Sequence, residues 1–233
     1  MNITLFRNLL DTFLQVFLNE NKYDIINQRV DIMTTIFLMR HSEVLKFKNV
    51  NNSDSLQLQN EKWPLSTSGE QIAKEKSEIS ELKNFDSVYA SNYVRAISTA
   101  KYFTNNDVKI EESFGERKFG INDWNELPSD FGKRQFEDFD YKLENGESIN
   151  EVILREEKAI SDILKKHQGE KILIVGHSTA LASLFSKWCE INYTGSYKYN
   201  GVEFFDGKWN YCETFKLEFD DNDELISIKN IRY

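Results

Sequence analysis

The sequence has few cysteines, fewer basic than acidic residues and no long apolar run, and each of these features excludes a class of protein. Its two cysteines, Cys189 and Cys212, are too few for a disulfide scaffold and fit a reducing cytosol. A bond between them is not excluded, but no pattern supports it. No segment approaches the roughly 18 uninterrupted apolar residues of a membrane span, and the N-terminus shows no signal-peptide cleavage site. We therefore expect a cytoplasmic protein without a membrane span.

Basic residues are outnumbered, with 29 Lys and Arg against 38 Asp and Glu and a formal net charge of −9. A general nucleic-acid binder needs a basic surface to neutralise phosphates, so nucleic acid is not an expected partner. A small anionic ligand is not excluded, because a few arginines focused in one cleft can outweigh a distant acidic surface. The content of 40% hydrophobic and 29% charged residues is that of a soluble globular protein.

The apolar pattern divides the chain into residues 1–32 and 33–233. Apolar residues recur at helical spacing from Phe6 to Phe17, which predicts an amphipathic helix in an N-terminal extension. Its polar face lacks the Lys and Arg enrichment of membrane-surface helices, so packing on the domain or on a partner chain is favoured. A start at Met33 is an open alternative, because the first core strand begins directly after it.

Strand and helix patterns alternate after Met33, without internal repeats or a Gly/Pro-rich linker. Apolar runs predict strands at Thr35–Arg40, Phe85–Ala90, Val108–Ile110 (a short edge strand) and Lys171–Val175, and a hairpin from Glu213 to Tyr233. Caps and helical spacing predict helices from Thr67 to about Lys83, Tyr93 to about Phe103, Ser129 to Phe139, Ser148 to about His167 and Thr179 to about Cys189. The polar segment Lys46–Glu61 is predicted to be a loop. This alternation favours one α/β domain with a mostly parallel sheet.

Three predicted strands lead into groups that can bind or attack an anion. Arg40 and His41 follow the first strand, Arg95 begins the helix after the second, and His177 follows the fourth. Ligands of open α/β sheets bind at the carboxyl ends of the strands, so these side chains are expected to meet. Arginine forks match phosphate oxygens, and a helix beginning near Ser178 offers backbone N–H groups to the same anion.

The histidines suggest the chemistry of this pocket. A neutral imidazole can attack phosphorus and form a phosphohistidine, and a second imidazole, if protonated, would help to hold the charge of the transition state. His41 and His177, which both follow predicted strands, are positioned to serve as this nucleophile and this second imidazole. His167 falls at a helix C-terminus, where the helix dipole favours a cation, and is interpreted as structural. Three histidines without cysteine pairs make a poor zinc site, so no metal or other cofactor is expected.

Short segments occur in the order LMRHSE, LSTSGEQIA, YASNYVRAISTA, ERKFG, NGES and VGHS. In order and rough spacing they resemble the histidine phosphatase superfamily, the phosphoglycerate mutase-like group, in its branch of phosphatases and cofactor-dependent mutases. The resemblance covers Thr34 to Cys189 well, the C-terminal tail weakly and residues 1–32 not at all. It implies a three-layer α/β/α sandwich with a mostly parallel central sheet.

The resemblance also implies a role for each residue of the pocket. His41 is the nucleophile that becomes phosphorylated, while Arg40, Arg95 and His177 cradle the phosphoryl group. Glu116, in the segment ERKFG, protonates the leaving oxygen and later activates water. Such proton transfer is typically worth about 10²–10⁴-fold in rate.

Several smaller matches leave alternatives open. The family's usual glycine after the nucleophile is Ser42 here, whose hydroxyl either reaches the phosphate or caps the turn. Ser66 and Ser178 match positions that line the pocket, but both also suit helix caps. Glu111 and Glu112 are weaker candidates for the acid/base role.

The chain departs from the family's pattern at two further places. The usual serine-proline after the second strand is replaced by Asn92-Tyr93, and Ser91-Asn92 is interpreted as a helix N-cap. The asparagine that often follows the nucleophile is not clearly matched, although residues 49–52 contain candidates. These departures bear on the substrate more than on the chemistry.

The expected function is that of a metal-independent phosphomonoester hydrolase acting through phospho-His41, with Glu116 as general acid and base. Two alternatives stay open: a phosphoglycerate-type mutase, and a non-catalytic module that binds a phosphorylated ligand. The expected partner is a small phosphorylated substrate, while its identity and the oligomeric state are left open. The aromatic segments Trp124–Tyr141 and Tyr197–Trp209 are expected either to cover the pocket or to belong to the core.

Overall fold

Nine strands and six α-helices occur in the part of the chain that the computed structural model describes, residues 33–46, 54–193 and 195–232. The strands are β1 Thr34–Arg40, β2 Ser87–Ala90, β3 Lys109–Ile110, β4 Lys171–Gly176, β5 Glu190–Ile191, β6 Tyr197–Tyr199, β7 Val202–Phe205, β8 Thr214–Phe219 and β9 Leu225–Ile231. The helices are α1 Leu56–Lys62, α2 Thr67–Ser77, α3 Val94–Ala100, α4 Phe131–Glu137, α5 Ile149–Lys166 and α6 Ser178–Phe185. The helix predicted in residues 1–32 and the asparagine candidates at 49–52 lie outside the described residues.

Six of these strands form the central sheet, in the order β3-β2-β4-β1-β8-β9. The first four run parallel, whereas β8 pairs antiparallel with β1 and β9 pairs antiparallel with β8. Strands β5, β6 and β7 form a second, antiparallel sheet. The predicted α/β fold with a mostly parallel central sheet is confirmed, and β8 and β9 form the predicted C-terminal hairpin.

Strand β1 is buried on both faces, as its continuous apolar run predicts. Ile36 and Leu38 pack into a core cluster that includes residues of α5 and α6. Phe37 and Met39 pack on the opposite side, with residues of α2 and α3. None of these four side chains is more than 1% exposed. Helices therefore cover both faces of the sheet, which gives three layers.

The loop predicted at Lys46–Glu61 is wrong in its second half, where the structure has helix α1. This helix is short and polar, so it carries no apolar periodicity that a sequence pattern could detect. Its ends are held by local and tertiary hydrogen bonds: Leu58 N donates to the Ser55 side chain, and the Arg95 guanidinium donates to the Asn60 carbonyl. The other predicted helices agree to within about one turn, except that α2 ends at Ser77 rather than near Lys83. None of the described helices is long and apolar enough to cross a membrane.

His167, which is interpreted as structural, lies away from the carboxyl ends of the strands. His167 is buried before the start of β4, where its Nε2 lies 2.9 Å from the Tyr89 hydroxyl and its Nδ1 lies 2.6 Å from a Glu170 carboxyl oxygen. Both cysteines, Cys189 and Cys212, are free thiols. The sheet edge that follows β1, β2 and β4 is therefore left to the other two histidines.

Helix α5 contains one buried acid, Glu156. Its side chain is fully buried, and neither carboxyl oxygen has a hydrogen-bond partner among the described residues. Burial raises the pKa of this carboxyl well above its usual value, Glu116 and Glu147 raise it further, and only Arg155 opposes them. The folded protein therefore favours the protonated form of Glu156.

We expect Glu156→Gln to change how stability depends on pH. The folded chain binds the Glu156 proton more tightly than the unfolded chain does. The stabilisation that this proton gives is therefore complete below the pKa of Glu156 in the unfolded chain. Above that pKa the wild type loses about 1.4 kcal/mol per pH unit, until the folded pKa is reached. In urea unfolding, Glu156→Gln should therefore gain on the wild type between about pH 5 and pH 7. The exposed Asp162→Asn on the same helix is the control, and parallel curves for Glu156→Gln and the wild type would contradict a protonated Glu156.

Candidate active site

The parallel pairing of β1 with β4 brings the two predicted active-site histidines together. Arg40 lies opposite Gly176 in the register, so the next residues along each chain, His41 and His177, leave the sheet side by side. The backbone N–H of His41 donates to the Gly176 carbonyl at 3.0 Å and extends this pairing by one residue. The two imidazole rings lie 5.1 Å apart between centroids.

His41 is held as a neutral ring with one free nitrogen lone pair. Its side chain is buried, and Nδ1 lies 2.7 Å from the Ser42 carbonyl. A carbonyl can only accept, so Nδ1 carries the proton and Nε2 keeps its lone pair. Burial lowers the pKa of His41 well below 6.5, and the charges of Arg95 and Arg40 lower it further against the opposing Ser42 carbonyl. This is the protonation state that a nucleophilic imidazole needs.

His177 is fully buried between two partners. The Arg95 guanidinium donates to its Nδ1 at 3.2 Å, so Nε2 carries the proton and donates to the Ser91 hydroxyl oxygen at 2.8 Å. The pKa of His177 is lowered well below 6.5. Burial is the largest cause, and the charge of Arg95 and the neighbouring His41 come next. The protonated second imidazole considered from the sequence is therefore not the resting state. Ser91 does not cap α3 but orients this ring.

Arg95 is the more deeply buried of the two phosphate-binding candidates. Its guanidinium donates to the Asn60 carbonyl at 2.5 Å, and its Cζ lies 4.5 Å from the centroid of the Tyr93 ring. Burial lowers the pKa of Arg95 to about 10, opposed mainly by Glu116. Arg95 is therefore still a cation at neutral pH, fixed in place beside His177.

Arg40 completes the pair of cations from the side of β8. It donates to the Trp209 carbonyl, and its Cζ lies 4.9 Å from the centroid of the Tyr211 ring. Its Nε is buried and has no hydrogen-bond partner among the described residues. Burial lowers the pKa of Arg40, with Tyr211 and then Glu116 opposing. This guanidinium retains an unused donor.

The charge of Glu116 acts on both arginines. It opposes the lowering of the pKa of Arg95 and of Arg40 by burial. One carboxyl oxygen accepts from the Arg117 backbone N–H at 2.9 Å. The residue is half-buried and lines a cleft of about 320 Å³.

The neighbouring acids are less suited to the acid/base role. Glu111 accepts from the Ser113 backbone N–H at 3.1 Å and caps a short 3-10 turn. Glu112 begins that turn and lines the same cleft as Glu116, but its charge is not among those that act on Arg40 or Arg95. Their surroundings favour Glu116 over both.

The hydroxyl of Ser42 is used within the protein rather than turned toward a phosphate. Ser42 is fully buried; its Oγ donates to the Gly69 carbonyl at 2.7 Å and its backbone N–H donates to the Thr99 hydroxyl at 3.0 Å. With its only hydroxyl proton engaged, Ser42 has no donor left for an anion. In this structure Ser42 therefore fixes the loop after His41, and its contact with phosphate stays a prediction.

The two serines predicted to line the pocket have different positions. Ser66 is the N-cap of α2, and its side chain accepts from the Gly69 backbone N–H at 2.9 Å. Ser178 is half-buried and begins α6, whose N-cap residue His177 makes no side-chain capping bond. The first backbone N–H groups of α6 therefore lie next to His177 without a side-chain cap, as the phosphate interpretation requires.

The aromatic segments differ in their roles. In the second segment, Tyr197 and Phe205 are buried members of the core, and Trp209 packs against it. In the first segment, Phe136 and Phe139 line a cavity of about 250 Å³ together with Arg117 and residues of α6 and the second sheet. Core is therefore the better interpretation for Tyr197–Trp209, whereas Trp124–Tyr141 contributes to a cavity.

The family of the chain follows from a match to a family model. The model described as "Histidine phosphatase superfamily (branch 1)" matches residues 36–227, which is most of the sequence, and the chain belongs to this superfamily. A probable phosphoglycerate mutase, GpmB, of Enterobacter sp. (strain 638) is 27% identical over 164 residues, covering 66% of this chain and 74% of that protein.

Solved structures share the same fold. The structure titled "Mycobacterial hydrolase 1" has a TM-score of 0.64 at 17% identity, covering 86% of this chain and 100% of that one. A phosphoserine phosphatase mutant of Entamoeba histolytica in complex with phosphoserine has a TM-score of 0.59 at 20% identity, covering 84% and 96%. Mycobacterial glucosyl-3-phosphoglycerate phosphatase Rv2419c has a TM-score of 0.61 at 15% identity, covering 86% and 98%. At these identities the likeness shows the fold alone.

We expect His41 and His177 both to be neutral at pH 6.5. Burial and the charge of Arg95 lower both pKa values, so protonation should occur only at clearly lower pH. Side-chain ¹⁵N NMR at pH 6.5 should show His41 protonated on Nδ1 and His177 protonated on Nε2. Signals are assigned with His41→Gln and His177→Gln. An imidazolium spectrum for either ring at this pH would refute the assignment.

Gly69→Ala should displace the loop that carries His41. A Cβ on Gly69 would lie 2.1 Å from the Glu43 carbonyl oxygen, a backbone atom that also accepts from Ser66 N–H. We expect a loss of stability of about 1–3 kcal/mol in urea unfolding. Gly132→Ala in helix α4 is the matched control, because a Cβ on Gly132 would meet only the Tyr193 hydroxyl, at 3.8 Å. Equal effects of the two substitutions would contradict the close packing at Gly69.

Proposed function

We propose that this chain hydrolyses phosphomonoesters through a phosphohistidine on His41, without a metal ion. The observation that carries the proposal is the neutral His41 ring, whose Nδ1 is tied to the Ser42 carbonyl while the charges of Arg95 and Arg40 act on it. A nitrogen lone pair held beside two fixed cations suits attack on a phosphate dianion. The activity is assigned to residues 33–233, with residues 1–32 as an extension, and the family match at 36–227 supports this division.

In the first step, Nε2 of His41 attacks phosphorus and the bond from phosphorus to the ester oxygen breaks. Arg40, Arg95 and the first N–H groups of α6 hold the phosphoryl oxygens. Glu116, protonated for this step, donates its proton to the leaving oxygen and becomes a carboxylate. The alcohol leaves, and the phosphoryl group stays on His41.

In the second step, water replaces His41 on phosphorus. The carboxylate of Glu116 accepts a proton from the attacking water, which returns the acid to its starting state. The bond between phosphorus and Nε2 breaks, and His41 is again a neutral imidazole with its lone pair free. Inorganic phosphate is released, and no external acid or base is consumed.

His177 supports the phosphoryl group through a change of charge. The pKa of His177 is lowered by burial first and then by the positive charge of Arg95, which lies at the Nδ1 atom of His177. A phosphate dianion beside Arg95 offsets that charge and can accept the N–H that Arg95 otherwise donates to Nδ1, so substrate binding favours proton uptake at Nδ1 of His177. The protonated ring then adds positive charge where negative charge develops in the transition state.

Small phosphomonoesters are the proposed substrate class. The structures of similar fold include one titled as a complex with phosphoserine and one named as acting on glucosyl-3-phosphoglycerate. A cleft of about 320 Å³ beside Glu116, lined by Tyr93 and Arg155, is a candidate site for the alcohol part of the ester, while His41 and the two arginines lie outside its lining. A panel of amino acid, sugar and glycerate phosphates is therefore the appropriate screen.

A phosphoglycerate-type mutase is the second candidate, favoured by the 27% identity with a probable mutase. A mutase returns the phosphoryl group from His41 to the substrate, whereas a phosphatase transfers it to water. Incubation with 2- and 3-phosphoglycerate separates the two: isomer interconversion without free phosphate supports the mutase, and free phosphate supports the hydrolase. Binding without either product favours the non-catalytic alternative.

His41→Ala should abolish phosphate release from every ester that the wild type hydrolyses. The substitution removes the nucleophile and leaves the arginines in place, so the loss should be in kcat while the protein stays folded by circular dichroism. His167→Asn, which alters the third histidine, should retain activity in the same assay. Wild-type turnover by His41→Ala would rule out the proposed nucleophile.

A further inference from the structure

Tyr93 contacts three of the groups assigned to catalysis. Its ring lies 4.4 Å from the His177 ring between centroids, and the Arg95 guanidinium carbon lies 4.5 Å from the Tyr93 centroid. Its hydroxyl makes a long hydrogen bond, 3.4 Å, to the Glu116 carbonyl. The residue is 2% exposed, and it occupies the position where the chain departs from the serine-proline of its family.

The direction of the hydroxyl bond is fixed by its other partner. Gln57 Nε2 donates to the Tyr93 oxygen at 2.8 Å and also to a Glu61 carboxyl oxygen at 2.7 Å, which sets the orientation of the amide. Because Gln57 occupies the hydroxyl as a donor, the single hydroxyl proton is free to point at Glu116. Burial raises the pKa of Tyr93 to about 12, so this proton is retained throughout the neutral range.

The segment that carries Glu116 is held from two sides, by Tyr93 and by Arg155 of α5, which donates to the Ser113 and Gly115 carbonyls. It follows a short 3-10 turn and forms no strand or helix of its own. Gly115 packs directly on Tyr93, since a Cβ there would lie 3.2 Å from a ring carbon of Tyr93. A displacement of about 1 Å in a catalytic group can cost about 100-fold in rate, so this contact bears on proton transfer.

We propose that Tyr93 is a positioning residue that sets Glu116 in register with His177 and Arg95. Its ring packs on the two phosphate-binding groups, and its hydroxyl and ring edge hold the backbone on both sides of the general acid. The inference rests on the proposed function, because it assigns Tyr93 a part in the proton transfer from Glu116 to the leaving oxygen.

The test compares Tyr93→Phe on two esters that differ in their need for a proton. Phenyl phosphate has a poor leaving group that depends on Glu116, whereas 4-nitrophenyl phosphate leaves readily as an anion. Loss of the hydroxyl, and with it the hydrogen bonds to the Glu116 carbonyl and to Gln57, should lower kcat/KM for phenyl phosphate about tenfold and that for 4-nitrophenyl phosphate by less than about twofold. Tyr102→Phe, which removes a hydroxyl bonded to Glu70, should leave the ratio of the two unchanged.

Two further variants separate positioning from a general structural effect. In a Glu116→Gln background, Tyr93→Phe should cause no additional change in the ratio, because the proton donor is already absent. If Tyr93→Phe does not fold, Gln57→Met decides: it leaves Tyr93 in place, frees its hydroxyl to rotate, and should shift the ratio in the same direction.

The proposal is overturned if Tyr93→Phe lowers kcat/KM for both esters equally, or if its effect persists in full without Glu116. Either result would mean that Tyr93 only stabilises the fold. Failure of the proposed function would be recognised differently, because the wild type would then release phosphate from neither ester. That result would also refute the role of Tyr93 in proton transfer.

Discussion

The pairing of β1 with β4 is the constraint on which the rest of the site depends. In this parallel register Arg40 faces Gly176, so His41 and His177 leave the sheet together and one further backbone bond joins their loops. A shift of one residue would send alternate side chains to opposite faces and separate the two rings. The buried apolar residues on both faces of β1 make that shift costly, so the core of the domain sets the distance between the histidines.

Burial then determines the charges at this sheet edge. Two guanidinium groups and two imidazoles share a site with little solvent, and the imidazoles respond by remaining neutral. Arg95 and Arg40 keep their charge, and the charge of Glu116 opposes the effect of burial on both. Such a site favours a dianion, which would balance the arginines and raise the pKa of His177. Under the proposed function, the same burial that stabilises the fold prepares the site for phosphate.

Sequence patterns predicted the frame of this site better than its contacts. Apolar runs located β1 and β4, because burial on both faces leaves a strong local signal, and the strand ends followed from them. The hydrogen bond from His177 to Ser91 joins residues 86 positions apart, and no local pattern encodes it. Helix α1 was missed for the same reason, since a tertiary contact from Arg95 helps to hold it. Residue type alone does not show that the Gly69 carbonyl accepts the Ser42 hydroxyl proton, so the sequence leaves open whether Ser42 reaches the phosphate or caps the turn.

The central claim is that His41 carries the phosphoryl group between substrate and water. The most direct measurement is rapid quenching of the enzyme with a substrate, followed by peptide mapping under alkaline conditions that preserve phosphohistidine. The account predicts a phosphoryl group on His41 in the wild type, a larger amount in Glu116→Gln when an activated ester is used, and none in His41→Ala. Turnover without any phosphorylated His41, or a phosphoryl group located on His177 or His167 instead, would contradict it.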